Sequence, residues 1–158
     1  DSLAILPDAR NQSYLVESIL DITKLVAAGT FSAVTNGDIF QVLEIPAGTV
    51  VIAAGAEVLT VMSGTSVTVD IDFAAGDDIV DGGDTSSTGY LASGTNGGAN
   101  EPSATTYTHF QSTTDTIDVK FIAGSSDVTS GVLRVYAVCC DLNGVADTAT
   151  EVDRDQLA

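Results

Sequence analysis

The most regular alternation of apolar and polar residues is SVTVDIDF, residues 66–73. Val67, Val69, Ile71 and Phe73 lie on one face of an extended segment, and Thr68, Asp70 and Asp72 on the other. This period of two predicts a half-buried strand. TIDVKFIA, residues 116–123, repeats the pattern, with Ile117, Val119 and Phe121 inward and Asp118 and Lys120 outward. GVLRVYAVCCDL, residues 131–142, is the longest apolar run; Leu133, Val135, Ala137 and Cys139 oppose Arg134, Tyr136, Val138 and Cys140. Both of its faces are apolar enough to place it centrally in a sheet. DIFQVLEI, residues 38–45, sets Phe40, Val42 and Glu44 against Ile39, Gln41, Leu43 and Ile45, between a turn at Asn36-Gly37-Asp38 and a stop at Pro46-Ala47-Gly48. TVVIAA (49–54) and AEVLTVM (56–62) read as two short runs parted by Gly55, with a further turn at Ser63-Gly64.

The flanks are less regular. SYLVESIL, residues 13–20, has a mixed period and reads as a strand, while ITKLVAAG, residues 22–29, ends at Gly29 and fits either a strand or a short helix. Residues 74–106 are rich in Gly, Ser, Thr, Asn and Asp and form a long excursion with weak strand signals at 78–80 and 90–92. DSLAILPDARNQ, residues 1–12, reads as an arm: Leu3, Ile5 and Leu6 are apolar, and Pro7 disfavours helix at Leu6. An arm with apolar residues docks either on its own domain or on a partner. Residues 143–158 are a polar tail. About eight to ten short strands with turn signals every ~8–12 residues suit a sandwich, a jelly roll or a barrel. No repeat of fixed period is visible.

Composition strengthens the β reading. The chain has 18 Val and 19 Thr against 2 Lys and 5 Glu, and 17 of its 22 acids are Asp. Val and Thr fit a pleated surface, and Asp favours turns and caps over helix interiors. A hydrophobic share of 44% is too high for a disordered chain. The formal charge of −17 excludes nucleic acid and an anionic membrane surface as expected partners, because both require a basic footprint. No apolar run approaches the ~20 residues of a membrane span. No basic region followed by an apolar stretch marks a signal peptide, and a chain opening on Asp1 is expected to have lost an initiator residue. Lys24 and Lys120 have no basic residue between them but twelve acids. The plain reading is a solvated acidic face that keeps a crowded protein soluble.

Candidate chemistry is sparse. His109 lacks a second His, a paired Cys or a nucleophile elbow, so a structural or surface role is expected. Cys139 and Cys140 are adjacent, unlike the spaced pairs of metal sites, and read as small core hydrophobes. The densest acidic stretch, DIDFAAGDDIVDGGD, departs from the EF-hand loop, with Ala74 at the third ligand position. No metal is expected; the fallback is Ca²⁺ held by Asp77, Asp78, Asp81 and Asp84 in a loop. With no phosphate-cradling or dinucleotide-binding motif, neither a cofactor nor an enzyme is expected.

Three segments carry a resemblance. NGDIFQVLEIPAGTVVIAAGAEVLT (36–60), VTVDIDFAAGDDIVDGGDTSSTGYL (67–91) and DTIDVKFIAGSSDVTSGVLRVYAVCCDLN (115–143) resemble stretches of small virion proteins of tailed phages, particularly marine phages and cyanophages. The resemblance implies a capsid cement, or decoration, protein. Its expected fold is an all-β sandwich of jelly-roll type, residues 13–142, with an extended N-terminal arm, residues 1–12, and the polar C-terminal tail, residues 143–158. It implies a homotrimer seated on the outer capsid surface of the virion between major capsid protein subunits, with the arm reaching onto the shell. The expected capsid contacts are Leu3, Ile5, Leu6, Pro7, Arg10 and Tyr14, with Arg10 and Lys24 as anchors for acidic capsid loops. The long 92–106 loop and the Cys pair depart from the pattern.

The alternative is a carbohydrate-binding or host-adhesion β-sandwich, Ca²⁺-dependent or not. Such sites stack sugars on aromatic faces. Tyr90, Tyr107, Phe110 and Tyr136 are the candidates, with Tyr90 and Tyr107 bracketing the long loop at an expected sandwich tip.

Overall fold

A computed structural model describes residues 13–73, 79–91, 109–124 and 126–142. The expected arm, residues 1–12, and tail, residues 143–158, lie outside the described residues. Nine strands and one short helix are described: β1 (Tyr14–Asp21), α1 (Ile22–Ala27), β2 (Ile39–Ile45), β3 (Thr49–Thr60), β4 (Thr68–Asp72), β5 (Val80–Asp84), β6 (Gly89–Leu91), β7 (His109–Gln111), β8 (Asp115–Ile122) and β9 (Val132–Asp141).

The strands form two antiparallel sheets. The first has the order β1-β9-β3-β6, with β7 also paired to β3, and the second has the order β2-β8-β4-β5. β6 and β7 share one edge of β3, at Ala56–Val58 and Thr49–Val51 respectively. The pairings are nested: β1 with β9, β2 with β8, β3 with β6 and β7, β4 with β5. The added ladders β3·β9 and β4·β8 close each sheet. The described residues are thus all β apart from α1, and they form a sandwich. Its inner faces share one core, in which Leu133, Val135 and Val58 of the first sheet meet Ile71, Ile117 and Phe121 of the second.

The alternations at 66–73, 116–123 and 131–142 appear as β4, β8 and β9, with the expected inward residues buried. The ambiguous segment after β1 is helical because both of its ends are capped. The Asp21 carboxylate accepts the Lys24 N–H at 2.9 Å, an N-cap. Gly29, at φ +73°, donates to the Val26 carbonyl, and Thr30 donates to that of Leu25, the paired bonds of a Schellman stop. The mixed period of 38–45 also has a local cause. A bulge between Gln41 and Leu43 lets Phe40 and Val42 pack inward before it and Leu43 and Ile45 after it.

Three expectations need correction. The two runs expected at 49–54 and 56–62 are one strand, β3 (Thr49–Thr60), running through Gly55. Gly55 is no turn; a Cβ there would lie 2.7 Å from the Tyr136 hydroxyl, so the residue makes room for that side chain. Asp81 and Asp84, expected in a loop, lie on β5, whose Gly82 and Gly83 mask its strand character in the sequence. β7 was missed altogether: three residues beside β3 are too few to show a period.

Candidate interaction surface

The outer face of the first sheet follows from register. Leu15, Glu17 and Ile19 of β1 stand opposite Val138, Tyr136 and Arg134 of β9. Those three stand opposite Ala53, Gly55 and Glu57 of β3. Glu57 lies beside Tyr90 of β6, and Val50 lies between Cys140 of β9 and Phe110 of β7. β3 carries two bulges, at Ile52 and Leu59, and each turns a large apolar side chain to solvent. Ten large apolar side chains are exposed among the described residues, and all but Ile39 belong to strands of this sheet or to the residue just after one.

One polar group interrupts this face. Arg134 reaches Glu17 at 3.4 Å on one side and pairs with Glu57 on the other. Burial works against its charge, but the Glu57 and Glu17 carboxylates outweigh it and hold the guanidinium above its ordinary value. Its Nε is buried without an acceptor among the described residues. Tyr136 lies over Gly55 and meets Tyr90 edge to face, with ring centroids 6.2 Å apart. Burial, then the neighbouring Tyr90, pushes the Tyr136 hydroxyl pKa up, while Arg134 opposes.

The outer face of the second sheet is the reverse. Thr116, Asp118 and Lys120 of β8 point away from the core, beside Asp70 and Asp72 of β4 and Gln41 and Glu44 of β2. Asp84 of β5 stands opposite Thr68. The Asp70 carboxylate meets the Lys120 ammonium at 3.6 Å and accepts the Gly82 N–H at 3.0 Å. Asp118 is buried and accepts the Thr116 hydroxyl at 2.6 Å. Asp72 faces Asp118 across the ladder, a like-charged neighbour.

The expected site residues fall in different places. Tyr14 opens β1 opposite Cys139, and its hydroxyl is hydrogen-bonded to Thr49. Burial raises its pKa, the Thr49 bond opposes this, and nearby Cys139, Asp141 and Cys140 add to the rise. Lys24 is strongly exposed on α1, and its ammonium pairs with Asp21 at 3.1 Å. The Lys24 backbone N–H is the first cause that lowers the Asp21 pKa. Leu3, Ile5, Leu6, Pro7 and Arg10 lie outside the described residues, as do Asp77, Asp78 and Tyr107. Of the fallback Ca²⁺ ligands, Asp81 is exposed and Asp84 accepts the Ser86 N–H at 2.8 Å and hydroxyl at 2.9 Å. Among the described residues, no three His, Cys, Asp or Glu side chains are gathered to hold a metal ion.

His109 stacks on Phe73 with ring centroids 4.3 Å apart, and its Nε2 lies 2.9 Å from the Gln111 side-chain oxygen, a structural arrangement. Cys139 and Cys140 are free thiols on opposite faces of β9, as adjacent strand residues must be. Cys139 is buried in the core, as expected, and burial raises its pKa, with Cys140 adding to the rise. Cys140 stands on the outer face instead.

Sequence reasoning missed the apolar outer face itself. Leu15, Ile19, Ile52 and Leu59 are not among the residues expected at a site, and Val138 is expected only as part of a central strand. For Leu15 and Ile19 the trace is the mixed period of 13–20, and for Val138 it is the two apolar faces of 131–142, which also fit the central place of β9; Ile52 and Leu59 are turned outward by the bulges of β3. The aromatic candidates are also regrouped. Tyr90, expected with Tyr107 to bracket a loop tip, stands on this sheet face with Phe110 and Tyr136.

No family model matches the chain, and no curated protein matches it. Among solved structures, a chain of the acidic stable capsid structure of Helicobacter pylori bacteriophage KHP30 is similar at 16% identity, covering 80% of this chain and 86% of that one, with a TM-score of 0.42. A likeness of that extent assigns no function, which rests instead on the residues.

Proposed function

We propose that the chain is a capsid cement protein of a tailed phage. In this reading it binds the outer capsid surface of the virion between major capsid protein subunits and stabilises the shell without catalysis. The observation that carries the proposal is the exposed apolar outer face of the first sheet, because a surface of that kind marks a binding protein. The sequence resemblance of 36–60, 67–91 and 115–143 supplies the partner class. We read the nested strand order as that of a jelly roll. Leu3, Ile5, Leu6, Pro7, Arg10 and Tyr14 are the proposed capsid contacts, with Arg10 and Lys24 meeting acidic capsid loops. A homotrimer engages several capsid subunits at once, so weak contacts add through effective concentration. A ligand that binds only the mature lattice stabilises that lattice by mass action.

The test is reconstitution on expanded capsids that lack the protein, with shell melting as the readout. The full chain is expected to bind and raise the melting temperature. Deletion of residues 1–12 abolishes binding, and EDTA leaves it unchanged. A chain that does not bind, or one that binds equally without the arm, overturns the proposal.

One observation favours a second reading, an adhesion or carbohydrate-binding module. Tyr90 and Tyr136 form an edge-to-face pair on an open sheet face, with Tyr90 itself exposed. Glycan binding that survives removal of residues 1–12 and is lost in Tyr90→Ala supports this alternative.

A further inference from the structure

We propose that the outer face of the first sheet is the surface through which copies of this chain hold one another. The inference rests on the reading of the protein as an oligomer and names the surface that the oligomer uses.

Size is the first argument. β1, β9 and β3 have 8, 10 and 12 residues and β6 and β7 have 3 each; at ~3.3 Å per residue and ~4.8 Å between strands the face spans on the order of 600 Å². That is close to the ~800 Å² that each partner contributes to a standard interface. The whole face, which includes the Arg134 cluster, is at the upper end of the ~300–600 Å² of the largest patch on a typical monomer, above which exposed apolar surface becomes an interaction site or an aggregation hazard. Closed association of identical subunits removes the hazard before any larger assembly is met.

Charge selects the occupant. The chain carries a formal −17, so copies repel wherever carboxylates meet. On this face Glu17 and Glu57 flank Arg134 in a compact cluster, Asp21 stands at the end of β1 opposite Val132 and is paired with Lys24, and the other residues are mostly apolar. Among the described residues the outer face of the second sheet shows Glu44, Asp70, Asp72 and Asp84, with Asp118 buried between them, against Lys120 alone. A basic partner is drawn to the second sheet, whereas a second copy of an acidic chain meets least repulsion at the first. Apolar contact there is also the least weakened by salt.

The edge strand supports the same occupant. Among the described residues β1 is an edge strand; it pairs with β9 in eight uninterrupted register steps and, although it carries Glu17, it has no Pro, Lys or bulge of the kind that keeps an edge from pairing. Leu15 and Ile19 stand on the outer face of this edge, at 60% and 50% exposure.

The test is native mass spectrometry and light scattering of the full chain, comparing wild type with Leu15→Asp/Ile19→Asp and with Ile39→Asp. All three sites are exposed, and circular dichroism checks that each variant folds. Wild type and Ile39→Asp are expected to be oligomers of equal mass. Leu15→Asp/Ile19→Asp is expected to be monomeric at the same concentration, its self-affinity weakened at least ten-fold. Cys140 lies on the same face, so iodoacetamide is expected to modify it faster in the double variant than in wild type. An oligomer that persists in the double variant, with Cys140 reacting as in wild type, overturns the proposed surface and leaves the oligomer reading standing. A wild type that is monomeric overturns both. Loss of capsid binding in the double variant of such a monomer would give the face to the capsid instead. A dissociating double variant of a chain that does not bind capsids keeps the surface and removes the cement function.

Discussion

On β9 the residues that face away from the core are Val132, Arg134, Tyr136, Val138 and Cys140, whereas on β8 they are Thr116, Asp118, Lys120 and Ile122. Both strands are central in their sheets, and both bury an equally apolar inner face. The difference lies wholly outside. β9 is flanked by Leu15 and Ile19 on one side and by Ala53 and Gly55 on the other. β8 is flanked by Gln41 and Glu44 on one side and by Asp70 and Asp72 on the other. A sandwich needs only its inner faces to fold, so the two outer faces are free to specialise. One is apolar around a single Arg–Glu cluster, and the other is acidic and solvated.

The sharpest way to break this comparison is to ask whether stability resides in the shared core. Phe121 is fully buried, and Phe121→Ala is expected to cost about 3–5 kcal/mol in urea unfolding. Leu15→Ser, at an exposed position, is expected to change the stability of the monomer by less than ~0.5 kcal/mol. Similar losses at the two sites would show that the outer face of the first sheet is part of the folding core.

Arg134→Ala tests the polar cluster of the apolar face. It leaves Glu17 and Glu57 facing each other across β9 without the guanidinium. The melting temperature is expected to fall by ~3 °C, with part of the loss recovered in high salt. A neutral result would mean that the face tolerates the two carboxylates unpaired.

Lys120→Ala is the matching change on the acidic face. The pair with Asp70 is half-buried but long at 3.6 Å, so the loss of stability in moderate salt is expected to be small, about 1 kcal/mol. Added NaCl is expected to stabilise this variant more than wild type, because it screens the remaining carboxylates. Calorimetry at two salt concentrations measures it.

Tyr136 gives the smallest effect. Its folded pKa is raised above the ordinary 10.0, so the unfolded chain releases the proton first as pH rises. The contribution is fully present below about pH 10 and is lost as pH climbs through the folded pKa. Tyr136→Phe is expected to flatten that alkaline decline in a series of denaturation midpoints, and an unchanged slope would remove Tyr136 as its source.

Some features were legible from local pattern alone. The strands at 66–73, 116–123 and 131–142 follow from a period of two that is read within a single segment. Gly29 and Asp21 decided the helix at 22–27, but only once both caps were in place, since the segment's own residues suit either state. The bulge in 38–45 left its trace as a broken alternation. Gly55 misled, because a glycine in an apolar run resembles a turn until the Tyr136 side chain above it is known.

The amino-acid sequence by itself determined the β class, the inward sets of β4, β8 and β9, the buried Cys139 and the excess of acid. Each is a property of neighbours along the chain or of composition. Only the tertiary structure decided which apolar residues are left uncovered. Leu15, Ile19, Ile52, Tyr90 and Phe110 come from four strands spread across the chain, and no local pattern tells an apolar residue on the outside of a sheet from one on the inside. That distinction depends on which face the second sheet covers, and the core supplies it only after all the strands have paired.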